Sequence, residues 1–151
     1  MLLQPRKLHN LSTEEALRRV GKIALGRVLY FSRALPNVWP TNHLVDGDMI
    51  VVNAHADSAL SRALRHSPLD SLVIAYEVDD FDSIEHSGWC VVVTGPMMFL
   101  SECEVRDHAG LSALRQRLTD LVAAEELVLL GIRAEIVSGY ELGSADERDT
   151  A

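Results

Sequence analysis

The 151-residue chain is 48% hydrophobic and 24% charged, the balance of an ordinary globular domain with one sizeable core. Its formal net charge of −8 argues against nucleic acid as the main partner and against an anionic membrane surface, since both are met by basic residues. No apolar run nears the roughly 20 residues of a membrane helix. The start MLLQPRKLHN lacks the apolar centre of a signal peptide, and Cys90 and Cys103 have no metal or CxxC spacing, so a cytoplasmic protein with reduced thiols is expected.

Residues 1–10 read as a loose lead-in. Ser12 to Glu15 forms an S-x-x-E capping box that opens a helix over LSTEEALRRVGK, with Ala16, Leu17 and Val20 on one apolar stripe and Gly21 or Gly26 at its end. Ile23 to Ser32 is β-branched and aromatic, a first strand, and Leu35-Pro36-Asn37 reads as a turn. In the next strand Val38, Pro40, Asn42 and Leu44 share one side, and Trp39, Thr41, His43 and Val45 the other. Asp46-Gly47 predicts a hairpin with a type I′ turn, which needs positive φ at both central residues. The return strand Met49 to Val52 is apolar throughout, as a strand buried on both faces would be. It runs into the polar loop Asn53 to Ser58, where Ser58 or Asp57 caps a short helix reaching Arg65, ahead of Pro68.

Leu72 to Val78 predicts a central strand, and Asp79 to Ser83 an acidic, solvated loop; neither supporting histidines nor further carboxylates give it metal spacing. Gly88 to Leu100 is the longest strand, with a bulge or an edge expected at Gly95-Pro96 because proline cannot donate to a ladder. Asp107 to Ala124 has helical spacing at Leu111, Leu114, Leu118, Leu121 and Val122. Leu127 to Leu142 returns to strand with bends at Gly131 and Gly139. The organisation is then a lead-in (1–10), one folded domain (11–142) and a polar, disordered tail (143–151). The fold is mainly β with α (α+β), a barrel of mostly antiparallel strands with a few helices.

The loop that carries the chain from a strand into a helix at Ser58 is a place to hold an anion, and a cap hydroxyl serves both roles. Thr41, Asn42 and His43 either contact a ligand or sit on a half-exposed face. His43 and His55 are possible haem ligands or proton carriers, set against ordinary surface histidines. Trp39 and Trp89 either stack on a ring system or pack in the core or an interface. Cys90, mid-strand, reads as an inert buried thiol, and Cys103 has only Arg106 nearby to lower its pKa. No nucleophile–base pair, paired carboxylates or metal-ligand spacing stands out, so no catalytic residue is assigned.

The succession GRVLYF, PTNHLVDGDMIVV, a small polar loop with Ser58 before a short helix, VIAYEVDDFD, SGWCVVVTGP and IRAEIVSGYEL resembles the pyridoxamine 5′-phosphate oxidase-like split-barrel proteins, in particular small actinobacterial-type members with a G-W-x-V-V-V-x-G strand. The resemblance covers roughly residues 11–142. It implies a six-stranded antiparallel split β-barrel with short flanking helices, a homodimer, and FMN at the dimer interface; some relatives use a deazaflavin, some bind haem, and some have no cofactor. By this resemblance Pro40, Thr41 and Asn42, with His43 next to them, line the flavin ring. Asn53 and Ala54 stand where relatives carry Arg-Thr or Tyr-Thr at the phosphate, Ser58 and Ala59 where they carry Thr-Lys, and Trp89 lies near the partner's site.

This chain departs from the pattern: Asn53 and Ala59 replace both basic phosphate ligands, and Asp57 adds a negative charge. Arg62, one helical turn on, is the candidate substitute, with Arg65 less directly placed. The favoured function is a flavin-dependent oxidoreductase passing hydride to a small electron-poor acceptor. Against it stand a non-catalytic barrel that carries or senses a flavin, haem or other planar ligand, and a deazaflavin reductase whose acidic coenzyme tail would lie along Arg27, Arg33, Arg62 and Arg65.

Overall fold

The alternation in Leu25–Ser32 shows how the sheet is built: Gly26, Val28 and Tyr30 are buried while Leu25, Arg27, Leu29 and Phe31 face out. In the computed structural model residues 7–119 and 126–143 are described, apart from the side chains of 117–119, so the expected tail after residue 143 and the end of the helix expected to reach Ala124 lie outside the described residues. The elements in chain order are β1 (Leu8–Asn10), α1 (Thr13–Val20), β2 (Leu25–Ser32), β3 (Leu35–Asp46), β4 (Met49–His55), α2 (Ala59–Arg65), β5 (Leu72–Asp82), β6 (Ser87–Phe99), α3 (Glu102–Asp107), α4 (Ala109–Thr119), β7 (Leu127–Arg133) and β8 (Ile136–Leu142).

All strand pairs are antiparallel, and their order is β1-β8-β6-β5-β2-β3-β4-β7 with a further β6–β7 pairing. That extra pairing closes β6, β5, β2, β3, β4 and β7 into a ring. The sheet therefore has eight strands where six were expected, but six of them form the barrel, and β8 and β1 extend it from the side of β6. β6 makes this possible by changing neighbours along its length: Gly88 to Thr94 pair with β8, and Met97 to Phe99 with β7. Gly95 and Pro96 fall at the changeover, where no ladder hydrogen bond is asked of the proline. The bulge expected there does not form, because β5–β6 keeps one register from Leu72↔Met97 to Asp82↔Ser87. Glycine is needed at 95 for another reason: a Cβ there would stand 1.8 Å from the carbonyl oxygen of Arg133.

β3 divides its pairing too. Leu35 to Asn42 pair with β2 and His43 to Asp46 with β4, so β3 and β4 part beyond His43↔Val52. The side chain of Thr41 bridges the opening, accepting from the Asn53 N–H at 3.2 Å with its hydroxyl 3.0 Å from the Asn53 carbonyl oxygen. Trp39 donates its indole N–H to the same carbonyl at 3.2 Å.

Two apolar cores result. Ile50, Val52, Val28, Tyr76, Val91, Val93, Leu60, Leu64, Ala16 and Val20 fill the barrel and the undersides of α1 and α2. Val51, on the other face of β4, packs with Val105, Leu111, Leu114, Leu127 and Leu129 beneath α3 and α4. β4 is thus buried on both faces, as its unbroken apolar run required, and α3 with α4 covers the outside of β4 and β7. α4 answers to the helix expected from Asp107, and α3 ahead of it is a further helix, which opens with a full capping box at Ser101 and Glu104. At α1 only half of that motif forms. Ser12 accepts from the Glu15 N–H, but the Glu15 carboxylate turns to Arg18 and Arg19, which hold it at a pKa of about 2.

Several boundaries differ from the sequence reading. Leu8–Asn10 is a strand on β8, not a lead-in. Asp79 to Asp82 continue β5, held by pairing with Cys90 to Ser87, and the turn comes after them with the Asp82 carboxylate accepting from the N–H groups of Ile84 and Glu85. The last strand breaks at 134–135 rather than at Gly131 or Gly139, since β7 and β8 lie end to end along β6. The turns also exchange types. In the hairpin of β3 and β4 the central residues are Gly47 and Asp48, and only Gly47 has positive φ, as a type II′ turn requires. The turn with positive φ at both central residues joins β2 to β3, at Arg33 (φ 52°) and Ala34 (φ 61°), so Leu35, Pro36 and Asn37 already belong to β3.

Candidate cofactor-binding site

The expected site residues divide between the two sides of β3. Thr41 and His43 lie on the inner side, with Thr41 buried; Pro40 and Asn42 lie on the outer side and are exposed. Thr41 and Asn53 are brought together at the opening between β3 and β4, where the Thr41 hydroxyl also lies 3.0 Å from the Asn53 side-chain oxygen. Ala54 is buried in the barrel core. Ser58 caps α2, accepting from the Ser61 N–H at 3.1 Å, and the Ser61 hydroxyl donates to the His55 carbonyl at 2.7 Å, which fixes the loop from Asn53 to Ser58. Asp57 and Ala59 are exposed.

His43 is not presented to a ligand. Its Nε2 lies 2.7 Å from the Val20 carbonyl oxygen and its Nδ1 2.7 Å from the Tyr76 hydroxyl, and burial pushes its pKa down. A carbonyl can only accept, so Nε2 carries the proton and Nδ1 accepts from Tyr76. Arg65 is also committed: its guanidinium donates to the Ala56 carbonyl and lies 5.7 Å from the centre of the Phe99 ring. Trp89 is far from Thr41 and Asn53 along the sheet, in a cleft of about 270 Å³ with Arg18, Arg19, Lys22, Ile23 and Asp80. Of the cysteines, Cys90 is buried and its thiol is pushed up to about 11 by that burial, while Cys103 is exposed beside Arg106.

A wide opening lies where the β2–β3 turn faces α2. It is a cavity of about 740 Å³ lined by Phe31, Ser32, Arg33, Leu35, Asn37, Ala59, Arg62, Ala63 and His66. That volume lies within the range that holds small-molecule cofactors. The sequence reading named Ala59, Arg62 and, among the arginines expected along an acidic coenzyme tail, Arg33; it missed the rest, because the wall supplied by the turn lies far from α2 in the chain. The one local signal was negative: neither Arg33 nor Ala34 is a residue that favours positive φ, so the turn stood hidden. Such strain costs of the order of 1–2 kcal/mol per residue, and here it sets the wall of a cavity. Arg62 lies near enough to Tyr30 for its charge to oppose the upward push that burial gives the phenol. Among the described residues, no three His, Cys, Asp or Glu side chains are placed to hold a metal, and no helix is long and apolar enough to cross a membrane.

A closed six-stranded barrel with side strands and a polar opening beside a short capped helix is a split-barrel architecture. The family profile described as pyridoxamine 5′-phosphate oxidase matches residues 12–140, and the chain belongs to that family. An uncharacterised protein of Mycobacterium tuberculosis is 33% identical over 143 residues, spanning 95% of this chain and 90% of its own. Among solved structures, an FAD-binding protein from Mesorhizobium loti superposes with a TM-score of 0.75 at 19% identity, covering 93% of this chain and all (100%) of that one. An FAD- and haem-binding protein from Mycobacterium smegmatis gives 0.67 at 19% identity, covering 94% of this chain and 76% of its own.

Proposed function

We propose that this chain binds a flavin and, as a homodimer, passes hydride to a small electron-poor acceptor. The observation that carries the reading is the cavity beside Ala59, whose polar lining is Ser32, Arg33, Asn37, Arg62 and His66, with no carboxylate in it among the described residues, although the whole chain carries a charge of −8. A local field opposite in sign to the molecule's own draws an anion to that opening. Arg62 takes over the phosphate role that the basic residues missing at Asn53 and Ala59 perform elsewhere in the family, and a guanidinium suits it by its forked donors. Thr41 and the main chain of Asn53 edge the ring site where β3 and β4 part, and Ser58 and Ser61 hold the loop between them in one shape. A bound flavin would supply the two-electron chemistry; the protein binds it, orients it and excludes water.

The second subunit of the proposed dimer sits on the outer face of β3, β2, β5, β6 and β8. Val38, Leu29, Ala75, Thr94 and Ile136 form one row across these strands by register, with Phe31 and Val73 beside them. Phe31, Val73 and Ile136 are each more than 65% exposed. Contiguous apolar surface of this kind marks an interaction site. Arg27 on that face is paired with Glu77 at 3.0 Å and Asp79 at 3.2 Å, so its charge is met within the chain. Trp89 then reaches the site only from the partner.

Visible absorption spectra before and after flavin addition test the reading. A flavin double band that shifts on binding is expected, and Ala59→Lys, which adds a cation at the cavity wall, tightens FMN by about tenfold. A colourless protein whose spectrum and melting temperature ignore added flavin defeats it.

A further inference from the structure

The face proposed above for the second subunit is apolar along one row and charged along the next. By register, Pro40, Arg27, Glu77, Val92 and Ser138 follow one another across β3, β2, β5, β6 and β8, and Asp79, Cys90 and Tyr140 lie in the row beyond. These two rows hold two carboxylates and one cation. Arg27 reaches both carboxylates, Glu77 at 3.0 Å and Asp79 at 3.2 Å, so one negative charge in the cluster is left over. The neighbours on β6 and β8 are neutral: the Cys90 thiol donates to Glu77 at 3.5 Å, and the Tyr140 hydroxyl is bonded to that sulfur. The thiol is pushed up to about 11 by burial, and the phenol is pushed up by its bond to Cys90, so neither ionises near neutrality. Glu77 and Asp79 are left as the groups of this cluster that can take up a proton there. Glu77 is the less solvated, with 18% of its side chain exposed against 33% for Asp79, and burial, then the hydrogen bond with Asp79, push its carboxyl upward.

Covering this face strips water from an uncompensated charge one row from the apolar contact, which costs free energy unless a proton arrives. In a two-fold dimer each copy brings the same surplus to the same interface, and like charges add repulsion. We propose that association of two copies is proton-linked: as the face is covered, each subunit takes up a proton from solvent on the Glu77–Asp79 pair, and the dimer tightens as the pH falls. The proposal rests on the dimer reading above and adds its regulation. The cluster goes from a charge of −1 to zero on protonation. The proton is held more tightly in the dimer than in the single chain, so the added stability of the dimer is present at low pH and is lost as the pH rises through the dimer's own titration.

Dimer dissociation constants of the full chain, measured by sedimentation equilibrium from pH 5.5 to 7.5 at high, fixed salt, test it. Salt screens the overall charge of −8 far more than it screens a covered cluster. The native Kd is expected to be at least about tenfold lower at pH 5.5 than at pH 7.5. Glu77→Gln keeps the shape and removes the surplus charge, so its dimer should be tight at both ends of the range with little change in Kd; Asp79→Asn takes its place if the first variant fails to fold. Glu14→Gln, an equal change of charge at an exposed position on α1, should keep the native slope. A native dimer whose Kd ignores pH, or a slope that survives in Glu77→Gln and Asp79→Asn, overturns the proposal and leaves the dimer standing. A folded Glu77→Gln chain that no longer dimerises also overturns it, because the carboxylate then holds the two copies together. A single chain at every pH, native and variant alike, defeats the dimer reading and the proposal with it.

Discussion

His43 shows how one residue type can mislead and still inform. As a titratable group beside a flavin-lining strand it was a candidate ligand, yet both ring nitrogens are engaged within the chain, by Val20 and Tyr76. Its depressed pKa makes it a reporter of stability instead. The unfolded histidine titrates near 6.5 and the folded one lower. Between those values the unfolded state binds more protons, so stability is fully present above about 6.5 and is lost as the pH falls through the folded pKa. Urea unfolding midpoints measured from pH 7.5 to 5 should decline in this window, and His43→Gln, whose amide can both donate and accept, should flatten the decline. A native curve that is flat there would show that the imidazole titrates normally. His43→Leu leaves the Tyr76 hydroxyl without its close acceptor in a buried site and should cost about 2 kcal/mol.

Among the elements, β6 decides whether the barrel closes, because it alone pairs with β5 along its length and with β7 and β8 in turn. Gly95→Ala drives a methyl group into the Arg133 carbonyl and should cost about 4 kcal/mol or prevent folding. Gly139→Ala is the comparison: its Cβ would meet only side-chain atoms of Val91, Leu11 and Ala16 at 3.1–3.3 Å, which can give, so its melting temperature should fall far less. Equal melting of the two variants would contradict the closure described.

The core strands were legible in the sequence because burial imposes a period: alternation in β2, an unbroken run in β4. β1 was not, since its three residues are all exposed and only the pairing with β8 makes them a strand. Asp79 to Asp82 hid for the same reason, being poor strand formers held by the register of β6. The capping box at Ser101–Glu104 was as readable as the one at Ser12–Glu15 and, unlike it, forms completely. For the site, motif order pointed to Thr41, Asn53 and Ser58. Phe31 and His66 carry no local mark, because tertiary folding alone sets the β2–β3 turn against α2.

For the whole molecule, the outer sheet face is where the proposed dimer would form. Leu29 lies mid-row between Val38 and Ala75 and is 41% exposed. Leu29→Glu should convert a species of twice the 16.7 kDa chain mass into one of the chain mass in light scattering, while the strand content seen by circular dichroism stays unchanged. A native protein that already scatters as a single chain would remove the interfacial site.

The pairing of β1 with β8 carries a consequence for how the chain could be rewired. Leu8 faces Leu142, and the Gly143 N–H donates to the Lys7 carbonyl at 2.9 Å, so the two ends of the described fold are neighbours. The connectivity is close to circular. A peptide bridge joining those ends would close a loop that hydrogen bonds have already drawn shut, and the chain could then be cut elsewhere, between Ile84 and Glu85 at the exposed tip of the β5–β6 hairpin, without any strand changing its neighbours. In such a permuted protein the order of synthesis would change and the order of strands in the sheet would not.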